Sequence, residues 1–190
     1  MSQNEERIID ISKLLGLAHI GSCLSCLPIL EEIYENKAED EKVLMDNAHA
    51  HLAHLVAQDY TDEHIEMMIK GVGIHCDRKA RCDASGGSLG HALGIAIGMA
   101  LANKKQKIHV IVSDGSIMEG SNWEALRIIQ DMQLDQIHIY CNFNGYTAVS
   151  KYDSRELEER MQPFSIGNIR FYHTSNGEGF EGLQGHYKKI

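Results

Sequence analysis

The sequence predicts an α/β domain with a mainly parallel sheet flanked by helices. Three observations carry that expectation. The runs "KIHVIVS" and "QIHIYCNF" are short, apolar and rich in β-branched residues, the pattern of strands covered on both faces. Between them "NWEALRIIQDMQ" keeps a helical period, and "NIRFYHTS" supplies a third strand before a closing helix in "FEGLQGHYKKI". The connections are short, and strand, helix and strand in close succession favour parallel pairing.

The remaining elements follow in order. From Glu5 to Leu17 the residues Ile8, Ile9, Ile11, Leu14 and Leu15 recur at helical spacing. "HIGSCLSC" interrupts that pattern, and "LPILEEIYEN" resumes it as a second helix. The acidic "ENKAEDEK" reads as a solvated loop. "NAHAHLAHLVAQDY" and "TDEHIEMMIKGV" predict two more helices, with Thr61 capping the latter. "CDASGGSLG" is a loop, and a helix is expected from Ser88 to Asn103, where Gly90, Gly94 and Gly98 repeat every four residues. Glycine costs about 1 kcal/mol per helix position relative to alanine, so this bare face is expected to meet another element or a ligand.

At 190 residues, with 43% hydrophobic and 24% charged residues, the chain has the composition of one soluble domain, spanning residues 1–190. A net charge of -9 with no basic run disfavours nucleic acid and anionic membrane as partners. The stretch "LGHALGIAIGMALA" is too short and glycine-rich to span a bilayer, and the polar, acidic N-terminus does not resemble a signal peptide. Five cysteines, of which only Cys23 and Cys26 form a C-x-x-C, suit a reduced, cytoplasmic protein. His49, His51 and His54 do not share one helix face, and Cys23, Cys26, Cys76 and Cys82 have irregular spacing. Both sets therefore read as core residues rather than as a zinc site.

The chemistry is expected where the strands end. Asp114 follows "HVIVS" and Asn144 follows "IYCNF", so both could meet one ligand in the crevice beyond a parallel sheet. A carboxylate and an amide oxygen, completed by water and phosphate oxygens, suit Mg²⁺ better than zinc. Gly115 lets backbone approach the ligand, and the following helix could turn its N-terminus to a diphosphate. The competing reading is that Asp-Gly and Asn-Gly are turn residues at strand ends.

The segment "SDGSIMEGSNWEAL…QLDQIHIYCNFNG" resembles the cofactor motif of the transketolase family of thiamine diphosphate enzymes. The resemblance implies the thiamine diphosphate-binding fold in its diphosphate-binding (PP) form, with Mg²⁺ or Ca²⁺ held by Asp114, Asn144 and the Tyr146 carbonyl. It places Glu119 where the family links two cofactor sites across a homodimer. "LAHIGSCLS" resembles the family's opening segment and puts His19 in the substrate channel, while "LMDNAHAHLAHLV" puts His49 on the cofactor side. "GIHCD" aligns His75 with another substrate-site histidine, and "ASGGSLGHALGIAIGMALA" aligns Gly87 and Leu89 with cofactor contacts.

Two departures accompany the resemblance. Ser113 replaces the first glycine of Gly-Asp-Gly, and Glu178 in "SNGEGFEGL" stands where the family has a cofactor-side histidine. A carboxylate beside a diphosphate is unfavourable, which implies either a different loop arrangement or weaker phosphate binding. Nothing resembling the family's pyrimidine-binding or C-terminal domains follows. The resemblance thus implies one subunit of a split transketolase-like enzyme, moving a two-carbon ketol unit between sugar phosphates. A separate pyrimidine-domain subunit would complete a heterotetramer, and the isolated chain would be inactive. The alternatives are a non-catalytic or regulatory paralogue and a subunit of another thiamine diphosphate-dependent synthase or decarboxylase.

Overall fold

The computed structural model describes residues 1–147, 150–164 and 168–190. Its centre is a parallel sheet of β1 (Lys42–Met45), β2 (Ile108–Ser113), β3 (Ile137–Phe143) and β4 (Ile169–His173), in the spatial order β1-β2-β3-β4. The pairing sets Met45 beside Ile111, Ser113 beside Asn142 and Phe143 beside His173, so all four strands finish at one edge.

Alternation along the strands sorts the core into two layers. Ile108, Val110 and Val112 of β2, with Ile139 and Cys141 of β3, pack against α5 (Ala92–Ala102), α7 (Gly120–Asp131) and α8 (Ser154–Met161). Ile111 and Tyr140 point to the opposite face, under α1 (Gln3–Leu15), α2 (Ile20–Asn36), α3 (His51–Ala57) and α4 (Asp62–Val72). Two short helices, α6 (Asp114–Ile117) and α9 (Gly182–His186), lie at the strand-end edge.

Several sequence expectations need correction. "HIGSCLSC" does not interrupt a helix: α2 runs through it, buried at Ile20, Cys23, Leu27 and Leu30. A helix covered on nearly every side shows no apolar stripe, so periodicity cannot reveal it. Strand β1 follows directly on the acidic loop, and its four residues are too few for a period to register. Helix α8 lies where the sequence pattern suggests no element. Thr61 does precede α4, yet its hydroxyl bonds His64 Nδ1 at 3.0 Å and makes no backbone cap.

The glycine helix starts at Ala92 rather than Ser88, because a carboxylate from elsewhere ends the preceding loop. Asp46, just past β1, accepts from the backbone N–H groups of Gly90 (2.8 Å), His91 (2.9 Å) and Ala92 (2.8 Å). Those are the donors a helix start leaves open. Gly90 itself sits at φ +88°, and a Cβ there would come within 2.5 Å of Ser121 Oγ. Among the described residues nothing lies within 4 Å of a Cβ built at Gly94 or Gly98, and with Ile95 and Leu101 they form an exposed face.

Candidate active site

Beyond the strand ends lies a cavity of about 290 Å³. His19, His49, His75 and Gly87 line it, as do Leu89, Gly115, Asn144 and Tyr146. Eight residues singled out from sequence are therefore brought to one place. Glu119 is different: it is exposed at the start of α7, beside Gly90, and is not part of the lining.

Asp114 stands just behind the wall, fully buried. It does not end β2, as the sequence suggests; Ser113 does, and Asp114 opens α6. Its Oδ2 accepts from the Asn144 N–H at 2.7 Å and its Oδ1 from the Ser154 hydroxyl at 2.6 Å. Burial raises its pKa, and those two hydrogen bonds work against the rise. The carboxylate thus ties the end of β2 to the end of β3 and to α8.

Asn144 is held at three points. Its N–H goes to Asp114, its Oδ1 accepts from the Tyr146 N–H at 3.0 Å, and its Nδ2 donates to Ser25 Oγ at 3.3 Å. The Asn144–Tyr146 bond is a side-chain turn that lets the chain leave the sheet, with Gly145 at φ +82°. Asn142, two residues earlier on the same strand face, donates to the same Ser25 hydroxyl at 3.1 Å and accepts from Thr174 Oγ1 at 2.6 Å. Helix α2 therefore fixes both amides from below.

The donor set fits a hard divalent ion and its phosphate ligand. Asp114 and Asn144 offer carboxylate and amide oxygens at adjacent strand ends, each with acceptor capacity beyond its present bonds. A cation beside the buried carboxylate would favour its charged form, offsetting the burial cost. Ser113 lines the cavity but turns its hydroxyl to the Ser116 N–H at 3.3 Å, capping α6.

The histidines form another part of the wall. Ring centroids of His19 and His49 are 5.0 Å apart, and His186 lies 4.3 Å from His19 and 5.4 Å from His49. Burial, then repulsion from the neighbouring histidines, pushes His19 down to about 4 and His49 down to about 3. Burial lowers His186 as well. All three are neutral near pH 7, able to accept and donate hydrogen bonds without carrying charge.

His186 was missed in the sequence, where it fell within an expected closing helix that proves only five residues long. The segment that carries it is pinned across α2: the His19 N–H bonds the His186 carbonyl at 2.9 Å. Gly21 permits this, since a Cβ there would lie 2.7 Å from the Phe180 carbonyl oxygen and 2.8 Å from Asn176 Cβ. Glu178 is exposed and outside the cavity lining, whereas Asn176 lines the cavity. The Glu178 carboxylate is thus not part of the cavity wall. Asp46, Asn142 and His186 had no local motif to reveal them.

Residues 6–152 match the family described as 1-deoxy-D-xylulose-5-phosphate synthase, in its N-terminal part. The chain belongs to the transketolase family, as an N-terminal thiamine diphosphate-binding domain. It is 28% identical over 166 residues to the 6-deoxy-6-sulfo-D-fructose transketolase subunit of a Clostridium species, covering 73% of this chain and 60% of that protein. It is 26% identical over 157 residues to an apulose-4-phosphate transketolase subunit of Phocaeicola vulgatus, covering 71% and 56%. A 57-residue stretch is 46% identical to the like-named protein from Actinobacillus succinogenes, covering 28% of this chain and 21% of that protein. The domain thus spans less than two thirds of the length of each.

Solved transketolases share its fold. The enzyme from Leishmania mexicana superposes with a TM-score of 0.64 at 16% identity, covering 85% of this chain and 31% of that one. The Campylobacter jejuni transketolase gives 0.61 at 13% identity, covering 92% and 38%. Family membership implies use of thiamine diphosphate. Among the described residues, no helix of this transketolase-family domain is long and apolar enough to cross a membrane.

Proposed function

We propose that the chain is the diphosphate- and metal-binding subunit of a split, cytoplasmic transketolase-like enzyme that moves a two-carbon ketol unit between sugar phosphates. The observation that carries this reading is the meeting of Asp114, Gly115 and Asn144 with three neutral histidines around one cavity. Two relatives that bear the word subunit in their names support a separate partner. In this reading Asp114, Asn144 and the Tyr146 carbonyl would hold Mg²⁺ or Ca²⁺, whose charge would offset that of the diphosphate. Gly87 and Leu89 offer backbone and an apolar wall to the cofactor. Bound thiamine diphosphate supplies a nucleophilic carbon and an electron sink for cleaving the bond next to a ketose carbonyl.

The chain's own contribution is positioning and proton handling. His19, His49 and His75 hydrogen-bond sugar hydroxyls, and a neutral imidazole can take or return a hydroxyl proton as the carbonyl forms. His186 shares that wall and adds a fourth imidazole. The exposed strip of Gly94, Ile95, Gly98 and Leu101, beside Glu119, is the surface for a second copy, with a pyrimidine-domain subunit completing a heterotetramer. The domain alone would then be inactive. The family match favours one second reading, a subunit of a synthase forming 1-deoxy-D-xylulose 5-phosphate.

Calorimetry on the chain with its pyrimidine-domain partner tests the cofactor claim. Mg²⁺-dependent thiamine diphosphate binding should be lost in Asp114→Ala, and unchanged binding would remove the reading. Assays of ketol transfer and of synthase product formation, with and without the partner, separate the two reactions. Full turnover by the chain alone would disprove the split arrangement.

A further inference from the structure

We propose that His51, His54, Cys76 and Cys82 form a closed structural zinc site that clamps the wall of the cofactor cavity from behind. The histidines open α3 at i and i+3, on one face of its first turn. The cysteines flank the tight loop "CDRKARC", which folds back through a 3₁₀ turn at Arg78–Ala80 and a left-handed Arg81 at φ +66°. Ligand nitrogens of His51 and His54 and the Cys82 sulfur all lie within 4.8 Å of one another. The Cys76 thiol, whose hydrogen bond runs to Met45 Sδ at 3.7 Å, is near enough to Cys82 to interact with it and would swing to the ion as the fourth ligand. All four residues are buried.

The hydrogen bonds set both imidazoles for ligation. His51 Nε2 faces the Ala80 carbonyl oxygen at 3.1 Å, which can only accept, so Nε2 carries the proton. Its Nδ1 is buried and makes no hydrogen bond of good geometry among the described residues. His54 Nδ1 receives the Gln58 amide at 3.1 Å, so its proton is also on Nε2, directed to the Tyr34 oxygen at 2.7 Å. His54 Nδ1 lies 3.7 Å from Cys82 Sγ. Zinc bonds of about 2.3 Å to sulfur and 2.0–2.1 Å to nitrogen place tetrahedral ligands about 3.6 Å apart. Ala80 and Tyr34 then serve as the outer partners that orient metal-bound histidines. Gln58 gives up Nδ1 but keeps its second bond, to the His54 carbonyl at 3.1 Å.

Charge favours the same occupant. Zinc ligation releases the thiol protons, and two thiolates neutralise the dication in a dry site. Four protein ligands leave no open position, which makes the role structural. The Cys76 N–H bonds the Ala48 carbonyl at 3.0 Å and its carbonyl accepts from Gly86 at 2.9 Å, so the clamp grips the segments bearing His49, His75 and Gly87.

The test is zinc content of the full chain, produced with added zinc and purified under reducing conditions, by inductively coupled plasma mass spectrometry. One zinc per chain is expected. Cys82→Ser and His54→Ala should each lower occupancy by roughly tenfold or more, while Asp114→Ala and His186→Ala keep it. Because a ligand variant can fail to fold, the wild-type chain would also be stripped and reloaded with cobalt. A thiolate-to-cobalt charge-transfer band with strong tetrahedral d–d bands is expected. A folded wild-type chain free of zinc, or a cobalt spectrum lacking thiolate bands, overturns the proposal. So does full zinc retention in Cys82→Ser, or its loss in His186→Ala.

Discussion

Two groups of histidines sit back to back on the segment from Ala48 to Ala57. His49 joins His19 and His186 at the cavity wall, while His51 and His54 turn inward to Cys82. The same residue type, two positions apart, meets opposite surroundings. At the cavity, neighbours are other imidazoles: burial and mutual repulsion lower His19 and His49, and burial lowers His186. At the interior, burial depresses His51, but the Cys82 sulfur together with the Ala80 and Gly73 backbone outweighs it, and the net shift is upward. The comparison teaches that partner chemistry, more than depth, decides what a buried histidine is prepared to do.

The largest effect should come from truncating the inner group. His54→Ala removes bonds to Tyr34, Gln58 and Cys82, and should cost about 2–4 kcal/mol in urea unfolding, against under about 1 kcal/mol for His186→Ala at the open wall. Equal losses would dissolve the distinction between the groups. Next in size is Gly21→Ala, whose new methyl must displace the Phe180 backbone. Overpacking of this kind costs about 1–3 kcal/mol, and hydrogen exchange should rise selectively in residues 176–187. A protected segment in that variant would show that α2 does not hold the strap.

Acid should act through the outer group. His19 has an ordinary value of 6.5 and a folded value of about 4, so between those pH values the unfolded chain binds the extra proton. Its contribution is therefore complete above about pH 6.5 and is lost as pH falls toward 4. In His19→Asn the dependence of unfolding free energy on pH over that window should flatten. An unaltered slope would move the acid sensitivity elsewhere. The smallest stability effect belongs to Ile95→Arg on the open helix face, within about 0.5 kcal/mol of the parent. Sedimentation should nonetheless shift toward monomer, and a persistent dimer would place the interface elsewhere.

The elements easiest to read in the sequence were those whose pattern is local. Strands β2, β3 and β4 and helix α7 declare themselves through β-branched runs and helical period, and the Asp114 and Asn144 motif is contiguous with them. Family motifs brought His19, His49, His75, Gly87 and Leu89 into the same short set, and the structure gathers them at one cavity. Strand β1 escaped notice because four residues carry no period, and it acquires its role only by pairing with β2.

What the tertiary structure alone decided is which distant polar groups satisfy one another. Asp46, just past the end of β1, starts α5, doing the work of a local cap that the loop before Ala92 lacks. Ser25 anchors both Asn142 and Asn144 from the middle of α2. His186 reaches the cavity because Gly21 lets the C-terminal segment lie close, and the same folding carries Glu178 out to solvent. Apolar burial follows from residue type and spacing, which a sequence displays. A buried polar atom needs one particular partner at one angle and distance, and that requirement is met only when remote segments are brought together.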